Sequence, residues 1–148
     1  TKKCVVTRFW KLENLVLLME GGMQKKLKLG RVYLKKIKTA SGIQEVVKDK
    51  LYYKVIHPGT GEVIKDLSNA SPLISFKEKT INEETLSENI SGIRLPFSEV
   101  IAGLRNGLKG IRVGEKREIF IHPDLAYGEF PKPEPYSLIV IEVTLVSL

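Results

Sequence analysis

The closing run of the chain, "SLIVIEVTL" at residues 137–145, limits the fold more than any other stretch. Ile139, Ile141, Val143 and Leu145 fall on one side of the alternation, and Glu142 and Thr144 fall on the other. Successive side chains of a strand point to opposite faces, so this is the pattern of an antiparallel sheet with a core on one side and water on the other. Short β-like runs separated by turn residues recur from residue 50 onward: "LYYKVI" before Pro58-Gly59, "PLISF" after Asn69, and "KREIFI" before His122-Pro123. One stretch breaks the rhythm. Between Glu99 and Leu108, Ile101, Leu104 and Leu108 recur at helical spacing, with Ser98 placed to cap the start and Gly110 to close the end. The expectation is an α+β unit over residues 50–148, one short helix lying against an antiparallel sheet.

Residues 1–49 have a different texture and read as a basic helical N-terminal arm. Leu12, Leu15, Val16 and Met19 follow helical spacing until Gly21-Gly22 interrupts them. Residues 23–40 read as a second helix, closed by Lys35, Lys36 and Lys38 and then Ser41-Gly42, although "KLKLGRVYL" alternates well enough for a strand. Twelve Lys and Arg stand against four Asp and Glu in residues 1–49, but twelve against thirteen in residues 50–148, so the net charge of +7 arises in the first third. No aromatic ladder accompanies that charge, which argues for a solvated helix face rather than a nucleic-acid surface. The longest wholly apolar run, Leu15 to Met19, is far short of the ~20 residues a membrane span needs.

Chemistry by acid, base, nucleophile or metal finds no candidate. His57 and His122 each precede a proline and have no second histidine or cysteine at ligand spacing. The stretch "GLKGIRVGEK" lacks the Gly-Lys-Ser/Thr that would hold a nucleotide's phosphates, and no serine sits in a nucleophile elbow. Cys4 is the only cysteine, so no internal disulfide forms. What remains is an apolar helix face, a sheet, and a tyrosine behind a turn in "HPDLAYG".

Residues 107–130, "GLKGIRVGEKREIFIHPDLAYGEF", with "PFSEVIAGL" upstream, "YYKVIHPGTGE" well before it and "SLIVIEVTL" at the end, closely resemble the FKBP family of peptidyl-prolyl cis-trans isomerases. The resemblance covers about residues 50–148, and the arm "YLKKIKTASGIQEV" is similar to the helix that precedes this domain in bacterial FKBPs of the macrophage-infectivity-potentiator (Mip) type. It implies an FKBP-like antiparallel half-barrel wrapped around one short helix, with an apolar cleft between them. It implies an isomerase (rotamase) that assists protein folding, that needs no cofactor or metal, and that acts on proline-containing polypeptides. It also implies binding of macrolide-type inhibitors in the same cleft. Periplasm or cell surface is the favoured compartment, with the cytoplasm left open.

Carried over residue by residue, Val100 and Ile101 match the family's Val-Ile pair, in which the isoleucine N–H meets a substrate carbonyl. Tyr127 matches its hydroxyl donor. Leu104 stands where a tryptophan commonly floors the pocket, and Ile141 where a phenylalanine commonly forms a wall. Phe76 takes the place of a tyrosine, and gapless counting puts Leu86 and Ser87 where phenylalanine and aspartate stand. Losing that aspartate should remove a buried polar partner from the pocket. These departures keep a second reading open, a chaperone or binding module with the fold but little activity. In a third, Phe9, Trp10 and the leucines of the arm form a dimer or dock on a partner.

Overall fold

The computed structural model describes residues 32–65, 69–129 and 137–148. Six strands form a single sheet: β1 (Ile43–Val47), β2 (Leu51–His57), β3 (Leu73–Thr80), β4 (Thr85–Arg94), β5 (Lys116–Ile121) and β6 (Ile139–Ser147). Their order is β1-β2-β5-β6-β3-β4, and every pairing is antiparallel. Among the described residues two helices accompany them, α1 at residues 32–38 and α2 at Ala102–Gly107. Residues 9–19 and 23–31, where the sequence suggests helix, lie outside the described residues.

The alternation in β6 works as its sequence requires. Ile139, Ile141, Val143 and Leu145 are buried on the inner face. There they join Leu51 of β2, Ile74 of β3 and Ile119 and Ile121 of β5, and Phe97, Leu104, Leu108 and Ile111 close the core from the helix side. Burying a Leu, Ile or Phe side chain is worth roughly 1.5–3 kcal/mol, so this face carries most of the drive to fold.

The outer face departs from expectation. Val140 and Phe120 are also buried there, in a second cluster with Tyr52, Leu138 and Leu34 of α1. The four-residue apolar run "LIVI" at residues 138–141 is therefore the mark of a strand covered on both sides at one end. Farther along the same face the surface turns polar: Lys79 Nζ lies 2.8 Å from Glu142, 3.1 Å from Glu83 and 3.7 Å from Glu118.

Two strands are missing from a reading of apolar runs. β1 pairs with β2 through Ile43–Lys54, Gln44–Tyr53 and Glu45–Tyr52, so the sheet begins inside the segment set apart above as an arm, and α1 packs directly on it. β4 is rich in polar residues and Gly92, and it is held mainly by its ladder to β3.

The helix also differs in detail. Residues Phe97–Glu99 form a 3-10 turn, Val100 and Ile101 are extended, and α2 begins only at Ala102. Ile101 occupies the N-cap with no side-chain cap bond, so Ser98 does not cap α2. α2 sits close to β5 because Gly103 and Gly107 face it. A Cβ at Gly103 would collide with Ile121 Cγ2 and lie 3.0 Å from the Leu125 carbonyl, and one at Gly107 would come within 2.7 Å of Ile119. Replacing Gly103 with alanine should accordingly lower stability by about 1–3 kcal/mol through forced displacement of the helix, despite alanine's better helix propensity. Chemical denaturation of the variant checks this, and equal or greater stability would show that the close approach is dispensable.

Candidate active site

Four local devices hold the walls of a hollow between α2 and the inner face. Arg117, buried on β5, donates to Glu115 at 2.6 Å and to the carbonyls of Gly107 and Lys109 at 2.9 Å each, which ties the C-terminal end of α2 to the sheet. Its guanidinium also lies 4.0 Å from the Tyr53 ring centre. Arg105 reaches back to the Phe97 carbonyl at 3.2 Å, spanning the extended Val100-Ile101 link. Behind β5, the His122 ring accepts from the Asp124 N–H at 3.0 Å and opens the 3-10 turn Pro123–Leu125, which leads to Tyr127.

The hollow has a volume of about 320 Å³. Of the eight residues singled out from sequence, Phe76, Ser87, Val100, Ile101, Leu104, Tyr127 and Ile141 line it. Leu86 does not. The β3–β4 register slips between Glu78–Ser87 and Lys79–Thr85, leaving Leu86 as the extra residue of a β-bulge, packed against the neighbouring core. Gapless counting could not have seen that slip.

Three further residues line the hollow: Leu95, Glu99 and Glu78. Glu78 matters most. It is only 4% exposed, and its carboxylate accepts from Tyr127 Oη at 2.5 Å and from Ser87 Oγ at 2.8 Å. The buried carboxylate that the Ser87 substitution seemed to remove is therefore supplied from β3 instead. Its signal was present in "ISFKEK": Ile74, Phe76 and Glu78 share one face and pair with Leu145, Val143 and Ile141 of the core. An acid on the inward side of a strand is costly unless hydrogen-bonded, and here two hydroxyls meet it. Opposite, the backbone N–H of Ile101 has no backbone acceptor among the described residues.

Burial pushes the Tyr127 hydroxyl above the ordinary phenol value, and the hydrogen bond to Glu78 and that carboxylate's charge push it further. At neutral pH the phenol is a donor, and its single proton is directed at Glu78. Among the described lining residues the titratable side chains are Glu78, Glu99 and Tyr127, set in otherwise mainly apolar walls that suit binding and shape selection.

The structure is thus an antiparallel sheet with a short helix laid across its inner face and a hollow between them, backed by Tyr127. Residues 74–146 match the family model described as FKBP-type peptidyl-prolyl cis-trans isomerase. The chain belongs to that family. It is 35% identical over 141 residues to the peptidyl-prolyl cis-trans isomerase Mip of Chlamydia muridarum, covering 90% of this chain and 57% of that protein. It is 31% identical over 124 residues to the FKBP-type isomerase FkpA of Escherichia coli K12, covering 80% of this chain and 45% of that one. The chain thus spans about half the length of the curated relatives it matches. Among solved structures, a peptidyl-prolyl isomerase from Pseudomonas syringae superposes with a TM-score of 0.78 at 20% identity, covering 85% of this chain and 95% of that one. FkpA from Escherichia coli superposes at 0.72 with 24% identity, covering 99% and 74%.

The raised phenol makes a pH prediction. An unfolded tyrosine loses its proton near pH 10, whereas folded Tyr127 keeps it to higher pH, so its contribution to stability is whole below pH 10 and is lost as pH climbs toward the folded value. Tyr33, pushed up to about 12, and Tyr52, also raised, act in the same direction. Unfolding free energy measured from pH 8 to 12 should fall above about pH 10, and less steeply in Tyr127→Phe. Parallel curves for the two proteins would contradict the burial of this hydroxyl.

Proposed function

We propose that the chain catalyses cis–trans exchange of X-Pro peptide bonds in the hollow between α2 and the sheet. The observation that carries the reading is the hollow itself, about 320 Å³ with apolar walls from Phe76, Val100, Ile101, Leu104 and Ile141, left open among the described residues. Family membership supports it independently.

The barrier to be lowered is about 18–20 kcal/mol, set by the double-bond character of the amide. Only X-Pro bonds populate both isomers appreciably, which makes proline the substrate. Rotation takes the amide through a twisted state that has lost its resonance and with it much of the carbonyl dipole. A cleft that excludes water and fits the twisted form better than either planar form accelerates both directions. No proton needs to move.

The residues divide the work. The aliphatic walls and the Phe76 ring would hold the prolyl ring, with Leu104 as the floor. The Ile101 N–H, fixed by the extended link before α2, would hold a substrate carbonyl in register. Tyr127 would donate to a carbonyl only by turning its proton away from Glu78, so its contribution rests on exchange between two acceptors. Ser87 stands behind Glu78 as part of the polar wall, and Leu86 supports the strand from outside the hollow. Macrolide-type inhibitors would compete for the same volume. By likeness to Mip, the periplasm or cell surface is the compartment we assign. A dimer or partner contact through Phe9, Trp10 and the leucines of the arm would involve residues that lie outside those described.

Ile101 offers a clean test, because its φ of −61° suits proline and the extended ψ of 163° at Val100 suits a residue that precedes one. Ile101→Pro deletes the N–H without straining the backbone, while Ile101→Ala trims the side chain and keeps the donor. Removing one preorganised donor should lower kcat/KM about 100-fold below the alanine variant, measured by exchange NMR on a proline tetrapeptide. Equal rates in the two variants would remove the Ile101 N–H from the mechanism, and background rates in the unaltered chain would refute the isomerase reading.

A further inference from the structure

A backbone donor aimed at a substrate carbonyl helps only if it is held still, and the chain leading to the Ile101 N–H has few ties of its own. Phe97 is fully buried, and its N–H donates to the Ala70 carbonyl at 3.0 Å. α2 is seated from Gly103 onward against Ile121. Between these two anchors run Ser98, Glu99, Val100 and Ile101, where the Glu99 N–H turns back to the Pro96 carbonyl at 2.9 Å. Val100 and Ile101 are extended, and Ile101, the N-cap of α2, offers no side-chain cap bond.

Resting on the isomerase reading, we propose that Arg105 is a positioning residue for that reaction, clamping the Phe97–Ile101 span so that the Ile101 N–H is presented to the hollow at a fixed place. Arg105 grips both ends of the span. Its Nη1 donates to the Phe97 carbonyl at 3.2 Å, and its own backbone N–H donates to the Ile101 carbonyl at 3.2 Å. The Phe97 end is anchored in the core, so the bond draws the first turn of α2 toward a point that does not move. A guanidinium keeps its charge at any working pH, which makes the bond charge-assisted and independent of protonation. Among the described residues Arg105 forms no ion pair, so no carboxylate competes with the carbonyl for it. Arg105 is not among the residues that line the hollow, and it therefore acts through Ile101 and not on the substrate.

The experiment is a double-mutant cycle read by exchange NMR on a proline tetrapeptide. Arg105→Met keeps the aliphatic stem and removes the donor, and should lower kcat about tenfold with KM little changed. Arg105→Lys, which keeps a charged donor, should recover most of that rate. In an Ile101→Pro background the N–H is already gone, so there Arg105→Met should cost less than about twofold. An equal loss in both backgrounds, a loss confined to KM, no loss, or no recovery by lysine would each overturn the proposal. Amide relaxation on the same samples should give Ile101 an order parameter of about 0.85 in the unaltered chain and a lower one in Arg105→Met; an unchanged value would count against the clamp. Should Arg105→Met not fold, the unaltered chain decides, because an Ile101 order parameter below about 0.6 would show an unclamped donor and a rigid one supports the proposal. Absence of turnover in the unaltered chain would remove the isomerase reading, and the response of the Ile101 amide to Arg105→Met would then alone decide the clamp.

Discussion

The contact on which the rest of the molecule depends is the seating of α2 on β5 through Gly103 and Gly107. With no side chain at either position, Ile121 and Ile119 press against the helix backbone. Arg117 fixes the far end of the same helix by bonding the Gly107 and Lys109 carbonyls from within the core. One flank of the helix is thereby drawn tight against the sheet. The other flank, bearing Ile101 and Leu104, is left standing off β3 and β6, and the gap is the hollow. A helix that rode higher on bulkier residues would spread the separation evenly and leave no defined cleft.

Within that hollow the balance between apolar walls and one buried acid sets the chemistry. An isolated carboxylate would be expensive there, and two hydroxyls meet that cost with short hydrogen bonds. The same bonds give Tyr127 a resting partner, so the phenol is held in one orientation instead of rotating freely. The wall is consequently polar on the β3–β4 side, at Glu78 and Ser87, and mainly apolar on the α2 side, at Val100, Ile101 and Leu104.

Much of this was legible in the sequence, and the gaps have physical causes. The inner face of β6 followed from strict alternation, and α2 from its helical spacing, because both patterns are imposed by burial on one side. Val100, Ile101, Leu104, Tyr127 and Ile141 could be placed together because each sits in one of the short motifs, at residues 99–104, 122–128 and 137–145, that carry the family resemblance. β1 and β4 were not legible: their residues are half exposed, and their order comes from backbone ladders that leave little trace in side-chain pattern. Leu86 was misplaced by a bulge, an irregularity that shifts register by one residue without any apolar signature. Glu78 was overlooked although its parity with Ile74 and Phe76 marks it as inward, since an acid on a strand is ordinarily read as solvent-facing. The outer cluster under α1 escaped because its contacts join Leu34 to Phe120 and Val140, positions far apart in sequence.

β4 is one of the two edge strands of the sheet, and its irregularity has a consequence for association. A free strand border is a template on which another extended chain could grow into the sheet. Between Ile74–Ile93 and Phe76–Asn89 the ladder skips residues, Gly92 takes φ +107°, and the Asn89 side chain accepts from the Gly92 N–H. The border is therefore kinked, and part of its donor row is already spent on itself. Along this edge a second extended chain meets no straight run of amides to zip against, so β4 is a poor template for edge-to-edge addition.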